Sequence, residues 1–322
     1  MTARLIAANR SIACNADPRV GARHGGTGRE RGFILIAVLW VVGFLALAIA
    51  GFTVATRSHV QEASAEAASA EAAALADAGV NLAIADLVNA ASERTWRRRF
   101  LPDSQVRGCS IGAAALAISI VDEAGRVDLN TADEDLLRAL IAGVGRPPEE
   151  ARSLAARVLD WRDPDATKRR DGAEAPEYRE AGRPEPRNAP FAAPEELARV
   201  LGFDAALIAR LRPFVTIYSR LPGIDVRKAS PELIDVLAGN AANAAAAAFT
   251  FGRRARLPPS FAAPSSERVF RVRARAMTPR GAAFLREGVV EVIPGRVTSY
   301  TMLAWSRPNV ETAPPSIDLG GC

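Results

Sequence analysis

The sequence predicts an α+β protein: a long N-terminal helix packed on an antiparallel sheet, with a mostly helical insertion between the strands. Three observations lead there. Residues 33–56 form an uncharged apolar run. Alternating apolar and polar residues, the pattern of half-buried strands, occur before residue 130 and again after residue 213. Between them lies a helix-start signal, Thr131 followed by Glu134, at the head of a stretch rich in proline and charge.

The apolar run places the chain. Phe33 to Thr56 reads FILIAVLWVVGFLALAIAGFTVAT, and about 20 apolar helical residues span a hydrocarbon core of ~30 Å. The run exceeds the ~7–15-residue core of a cleavable secretory signal, so it reads as an anchor. Arg29 and Arg31 precede it, which by the positive-inside bias predicts a cytoplasmic N-terminus and a body on the far side of the membrane. Beyond Arg57 the sequence stays rich in alanine, the best helix former, to about Ala91. The helix is therefore expected to continue, with Gly79 marking a bend.

Charge and rare residues restrict the function. The pI is about 9.6 and the net charge +5. Residues 1–32 hold six arginines against two acids, which leaves the rest of the chain at only +1. A near-neutral body offers no basic face to a nucleic-acid duplex. The histidines are His24 and His59, so nothing after residue 60 supplies the commonest general base, and no catalytic residue is assigned. Cys14, Cys109 and Cys322 form no zinc-type cluster. Spacing leaves open whether Cys109 and Cys322 pair in an oxidising compartment.

Along the body, Arg94 to Gly112 reads as irregular, with Trp96-Arg97-Arg98-Arg99 a solvated basic turn. Leu116–Val121 alternates as a strand, Asp122–Gly125 forms a turn and Arg126–Leu129 a second strand, together a hairpin. Asp133–Ile141 reads as a helix, with Thr131 and Glu134 as its capping box and Gly143-Val144-Gly145 as its stop. The pattern recurs from Ile224 to Gly239, where Ser230 is the expected cap and Pro231 the first helical residue. A further helix is expected from Pro194 to about Leu201, and strands at Phe214–Tyr218, Arg268–Met277, Ala283–Ile293 and Val297–Trp305. Arg271, Arg273 and Arg275 alternate with Phe270, Val272 and Ala274, giving that strand one basic and one apolar face, which an exposed sheet face explains as well as an interaction surface does. The tail from Asn309 reads as disordered.

Several blocks carry a family resemblance. Arg31-Gly32-Phe33-Ile34-Leu35-Ile36 resembles a type IV prepilin cleavage site, which implies cutting after Gly32 and methylation of Phe33. Val127–Ala132 (VDLNTA) is followed in order by Leu159–Asp165 (LDWRDPD), Arg170 with Gly172-Ala173-Glu174, and Pro186–Phe191 (PRNAPF). Together they resemble the K-type minor pseudopilins of the bacterial type II secretion system, from the leader to about Leu237. Most pilins and pseudopilins carry glutamate at the fifth mature position, here Ala37; the K-type members typically lack it. A membrane carboxylate costs roughly 2.5–3.5 kcal/mol unless it is paired. In the family its partner is the N-terminal amine of the subunit ahead, which a tip subunit does not have, so Ala37 fits a tip position.

The resemblance implies a pilin-like fold with a helix-hairpin-helix/SAM-like insertion. Its parts would be a prepilin leader (1–32), a transmembrane helix (33–56), its periplasmic extension (57–93), the first part of the body (94–130), the helical insertion (131–212), the remaining β body (213–306) and a tail (307–322). It further implies a single-pass inner-membrane protein with a periplasmic body, matured by prepilin peptidase. Its partners would be the I- and J-type minor pseudopilins and the major pseudopilin, with no nucleic acid. Its role would be to cap the pseudopilus tip and help initiate assembly for export across the outer membrane. No cofactor is required, but calcium is associated with the family. Asp160, Asp163, Asp165 and Glu174, hard oxygen donors in a Pro/Gly-rich loop, are the candidate ligands. The competing reading pins that loop through Arg162 and Arg170, with Trp161 and Phe191 anchoring it in the core. The segment from Leu129 to Gly145 also resembles the hairpin of membrane-anchored DNA-uptake proteins, whose glycine amides meet phosphates. That alternative predicts DNA binding; the near-neutral body and the wide separation of the two copies weigh against it.

Overall fold

The computed structural model of the chain describes residues 30–92, 97–238, 257–294, 299–308 and 319–321. The leader before Glu30, Trp96, the Ala241–Ala248 run, most of the tail and Cys322 lie outside the described residues. The chain divides into two compact units, at Ala63 and Ser64.

In the first unit the chain is apolar helix. Helix α1 (Glu30–Ser92) begins here, and its Phe33–Thr53 segment, of mean hydropathy 2.9, is long and apolar enough to cross a membrane once. Phe33, Leu39, Trp40, Phe44 and Phe52 are exposed, an arrangement that water penalises and lipid does not. Thr56 Oγ1 donates to Phe52 O at 2.7 Å, and Thr53 Oγ1 donates to Ile49 O. These hydroxyls are thus satisfied by the helix itself.

In the second unit the rest of α1 packs on a sheet. Ala68, Ala72, Ala76, Val80, Ala83, Ile84 and Leu87 are buried at three- and four-residue spacing, one face of the helix. The strands are β1 (Arg107–Ile111), β2 (Ala114–Asp122), β5 (Val269–Met277), β6 (Ala283–Val292), β7 (Tyr300–Ser306) and β8 (Leu319–Gly321). Their order is β7-β6-β5-β2-β1-β8, and all pairs are antiparallel except β1 with β8. Leu116, Ile118 and Ile120 of β2 stand opposite Ala276, Ala274 and Val272 of β5, and all are buried beneath the helix. Helix α1 runs through Gly79 without interruption. A Cβ there would lie 2.9 Å from Ala274 Cβ, so the glycine lets helix and sheet approach.

Three strand expectations need correction. β2 does not pair with Arg126–Leu129; it pairs with β1, inside the stretch read as irregular, through a two-residue turn at Gly112, whose φ of +59° suits glycine. A 3-10 turn, Glu123–Gly125, instead leads to β3 (Val127–Asp128), which runs parallel to β4 (Val215–Thr216) in a separate two-stranded sheet. Finally, Leu319–Gly321, within the tail read as disordered, is strand β8.

The helices α2 (Glu134–Gly143), α3 (Pro148–Arg162), α4 (Ala175–Glu180), α5 (Ala205–Leu211) and α6 (Pro231–Leu237) build a second hydrophobic core. Leu136, Leu140, Leu154, Trp161 and Tyr178 lie at its centre, and Leu233, Leu257 and Phe261 join it from beyond residue 212. Pro194–Arg199, expected as a helix, is a 3-10 turn. Ser230 caps α6 as expected, its Oγ accepting from Leu233 N at 3.2 Å. Thr131 does not cap α2: Asp133 does, accepting from Leu136 N at 2.8 Å, while Thr131 Oγ1 donates to Leu221 O at 2.5 Å.

Candidate functional site

Four places hold the residues singled out above. Gly32, Phe33 and Ala37 lie in the first turns of α1, where Phe33 is 76% exposed and Ala37 also faces outward.

The acidic loop follows α3. Proline at residue 164 stops the helix, whose last turn buries Asp160 beside Trp161. Asp160 accepts from Ala173 N at 2.9 Å and from Arg169 N at 3.3 Å, so its carboxylate gathers the loop back onto the helix. Gly172 permits this: a Cβ there would stand 1.9 Å from Asp160 Oδ2. Arg169 pairs with Asp163 at 2.8 Å and with Asp160 at 3.4 Å. The arginine that pins the loop is therefore Arg169. Arg162 instead donates to Leu129 O at 2.5 Å and Ala132 O at 2.6 Å, holding the entry to α2. Asp165 accepts from Thr167 N at 2.7 Å, and Glu174 opens α4, its amide donating to Glu177 Oε2 at 2.9 Å.

Trp161 and Phe191 are buried and stacked with centroids 6.1 Å apart, and Tyr178 lies 5.9 Å from Trp161, so the aromatics anchor the loop in the core. Asn130 adds a clamp that the sequence reading missed. Its side chain donates to Phe191 O at 3.0 Å and accepts from Phe191 N at 2.7 Å. The LNTA and PRNAPF blocks are thereby joined by a reciprocal amide pair. The signal was an asparagine directly after a strand, which matters only once its distant partner is known.

The electrostatics of the loop are unbalanced. Burial pushes Asp160 above its ordinary pKa against the pull of two backbone amides, and Asp163 adds to the rise. Glu174 is also raised, by burial first and then by Asp160 and Asp163, with Asn188 offsetting part of the rise. Both carboxylate oxygens of Glu174, Asp163 Oδ1 and Asn188 Oδ1 are buried without a well-formed hydrogen bond. Hard oxygen donors crowded among like charges fit a hard cation. However, among the described residues no group of three or more acidic, histidine or cysteine side chains is placed to hold a metal ion.

The α2–α3 hairpin has the outline of a phosphate site without its donors. Val144 N donates to Leu140 O, Gly145 N to Ala142 O and Arg146 N to Ile141 O, at 2.9–3.3 Å. Pro147 and Pro148 then contribute no amide, and Glu149 and Glu150 occupy the first turn of α3. Arg146 is paired with Glu150 and Asp204, and Arg210 donates to Val144 O at 3.1 Å. The hairpin amides are committed internally, and the nearby cations are neutralised or spent on the backbone.

The basic face of β5 is only partly open to solvent: the Arg273 side chain is exposed, whereas that of Arg271 is largely covered. Arg271 binds Glu123 at 2.7 Å and Glu287 at 2.5 Å, and Arg273 binds Glu287 at 2.5 Å. Thr216 of β4 donates to Glu123, so this network joins the sheet to the strand that closes the helical lobe. Burial opposes the charge on Glu123 and Glu287, but Arg271 and its neighbours outweigh it and hold both carboxyls below their ordinary values. Beside it, Asp225 N donates to Ala124 O at 2.7 Å and Ser265 Oγ to Asp122 at 2.8 Å.

Comparison with known proteins agrees with this architecture. Residues 116–220 match the profile of the family described as type II secretion system (T2SS), protein K. No curated protein matches the chain. A chain in the crystal structure of the GspK-GspI-GspJ complex from the enterotoxigenic Escherichia coli type 2 secretion system shares the fold, with a TM-score of 0.53 and 18% identity over 79% of this chain and 99% of that one. The matched segment contains the VDLNTA, LDWRDPD and PRNAPF blocks, which the structure joins into one lobe through Asp160, Arg162 and Asn130. Over that segment the chain matches the type II secretion system protein K family, and its α+β fold is the one shared with the crystallised chain of the GspK-GspI-GspJ complex.

Proposed function

We propose that the chain is a K-type minor pseudopilin of the type II secretion system that stands at the tip of the pseudopilus and helps to initiate its assembly, anchored once in the inner membrane with its body in the periplasm. The observation that carries this reading is Ala37 on an uncharged spanning helix. A subunit inside the filament gains from a carboxylate that meets the amine of the subunit ahead, and a tip subunit would bury that carboxylate unpaired. Prepilin peptidase would remove residues 1–32 and expose Phe33. The I- and J-type minor pseudopilins would be its neighbours and the major pseudopilin the subunit that elongates beneath them. The role is structural, and no residue is given a catalytic part.

The test uses the full chain, epitope-tagged, in cells that carry the remaining pseudopilins and the peptidase. Label confined to one filament end, on a chain whose first residue is methylated Phe33, is the expected result. Label along the filament length would overturn the tip assignment, and an uncut leader despite active peptidase would overturn the processing.

We further propose that calcium binds the acidic loop, through Glu174 and Asp163 with Asp160 and Asp165 close by. The support is the set of buried, poorly satisfied oxygens and the raised pKa values of Asp160 and Glu174, each pushed up by burial and by neighbouring acids. Calorimetric titration with calcium alone should give a saturable signal that Glu174→Gln abolishes. An identical signal in the variant would remove Glu174 from the site.

A further inference from the structure

We propose that Cys109 and Cys322 form a disulfide that fastens strand β8 to the edge of the sheet. Cys109 is disulfide-bonded in the structure, and the sequence offers two partners, Cys14 and Cys322. The β1–β8 ladder decides between them. Gly108, Cys109 and Ser110 run parallel to Leu319, Gly320 and Gly321, and Cys322 is the next residue in the sequence. Cys14 belongs to the segment ahead of Gly32, on the other side of the apolar run. A second copy of Cys109 is an equally poor partner, because Cys109 is 3% exposed, within the core between α1 and the sheet.

The composition of β8 explains why a covalent link is needed. The strand is three residues long and reads Leu-Gly-Gly. Glycine loses the most conformational freedom on ordering and brings no side chain to pack. A ladder this short, between a long preceding segment and two glycines, holds weakly, and a cross-link removes most of the freedom that would release it. In forming it, the Cys109 and Cys322 thiols lose two protons and two electrons and one S–S bond forms. A disulfide-bearing oxidant of the compartment accepts them and is left as a dithiol. The link therefore requires the body to mature where such an oxidant acts. Its consequence is structural protection: β8 covers the edge of β1, which would otherwise present unpaired backbone groups to other chains.

The proposal does not depend on the secretion role, and its test is chemical. The full chain is matured in an oxidising compartment, alkylated without reductant and digested. A peptide joining the Cys109 and Cys322 segments, separated by reductant into two pieces, is expected. An alkylated free Cys109, a link to Cys14 or a disulfide between two chains would each overturn the proposal. A protease nick between residues 307 and 318 should leave the C-terminal piece attached until reductant is added, and in Cys322→Ser it should be released at once. Cys109→Ser alters the core and is open to misfolding, so Cys322→Ser carries this arm. Retention of the piece in Cys322→Ser would show that the ladder alone holds it, against the role proposed for the bond.

Discussion

At the scale of the residue, two positions show how contact geometry decides the sign of a substitution. Gly79 is a glycine in a helix interior, where alanine ordinarily gains ~1 kcal/mol. Here a Cβ meets Ala274 Cβ at 2.9 Å, and the strand carrying Ala274 is paired on both sides. Gly79→Val is therefore expected to destabilise by about 1–3 kcal/mol in urea unfolding of the intact chain, with Gly79→Ala near neutral. Ala274→Gly should recover part of the Gly79→Val loss, which an unspecific helix effect would not allow. Arg271 is the second case. It is the shared partner of Glu123 and Glu287, and both acids are buried. Arg271→Ala should cost about 3–5 kcal/mol, because it leaves carboxylates uncompensated rather than because the pairs are strongly stabilising. Replacing Glu123 with Gln in the Arg271→Met background should recover stability; a further loss would contradict this account.

At the scale of the element, local chemistry was legible and long-range pairing was not. Ser230 and Pro231 announce α6 by composition alone, and the structure places the cap there. At α2 two acceptable caps lie within three residues, and the choice of Asp133 over Thr131 follows from Leu221 O, ninety residues away, claiming the threonine hydroxyl. Asp133→Ala should consequently destabilise the lobe by about 1 kcal/mol and Asp133→Asn by much less, as read by thermal unfolding. The same reasoning explains the misplaced hairpin. Arg126–Leu129 has a strand pattern and a turn before it, but its partner is a parallel strand beyond the whole insertion, which periodicity cannot indicate. The acidic loop was visible as composition, while its geometry depended on Gly172, Arg169 and Asn188, residues without a distinctive spacing. The hairpin outline was also visible, but the destination of its amides was not. With those donors used internally, the body should show no salt-dependent DNA affinity in a filter-binding titration.

At the scale of the whole second unit, two sets of carboxylates respond to acid in opposite directions. Glu123 and Glu287 have folded pKa values below the ordinary range, despite burial, and Asp225 is likewise lowered, to about 2, by Arg227 and two backbone amides acting against its burial. Their contribution to stability is present above the unfolded carboxylate range, about 4, and is lost as pH falls through their lower folded values. Asp122, Asp128, Asp160 and Glu174 are raised, chiefly by burial. They oppose folding while charged, and that penalty is relieved as pH falls through their raised folded values, above the range where the first set titrates. The urea midpoint of the intact chain, measured in a chelator, should therefore hold or rise on acidification from neutrality and then fall steeply below about pH 4. A monotonic decline from pH 7 would show that the raised group has no energetic weight. Saturating calcium should lift the neutral end of the curve most, since a cation bound at Glu174 competes with protons for the same oxygens. A uniform calcium effect at every pH would place the ion elsewhere.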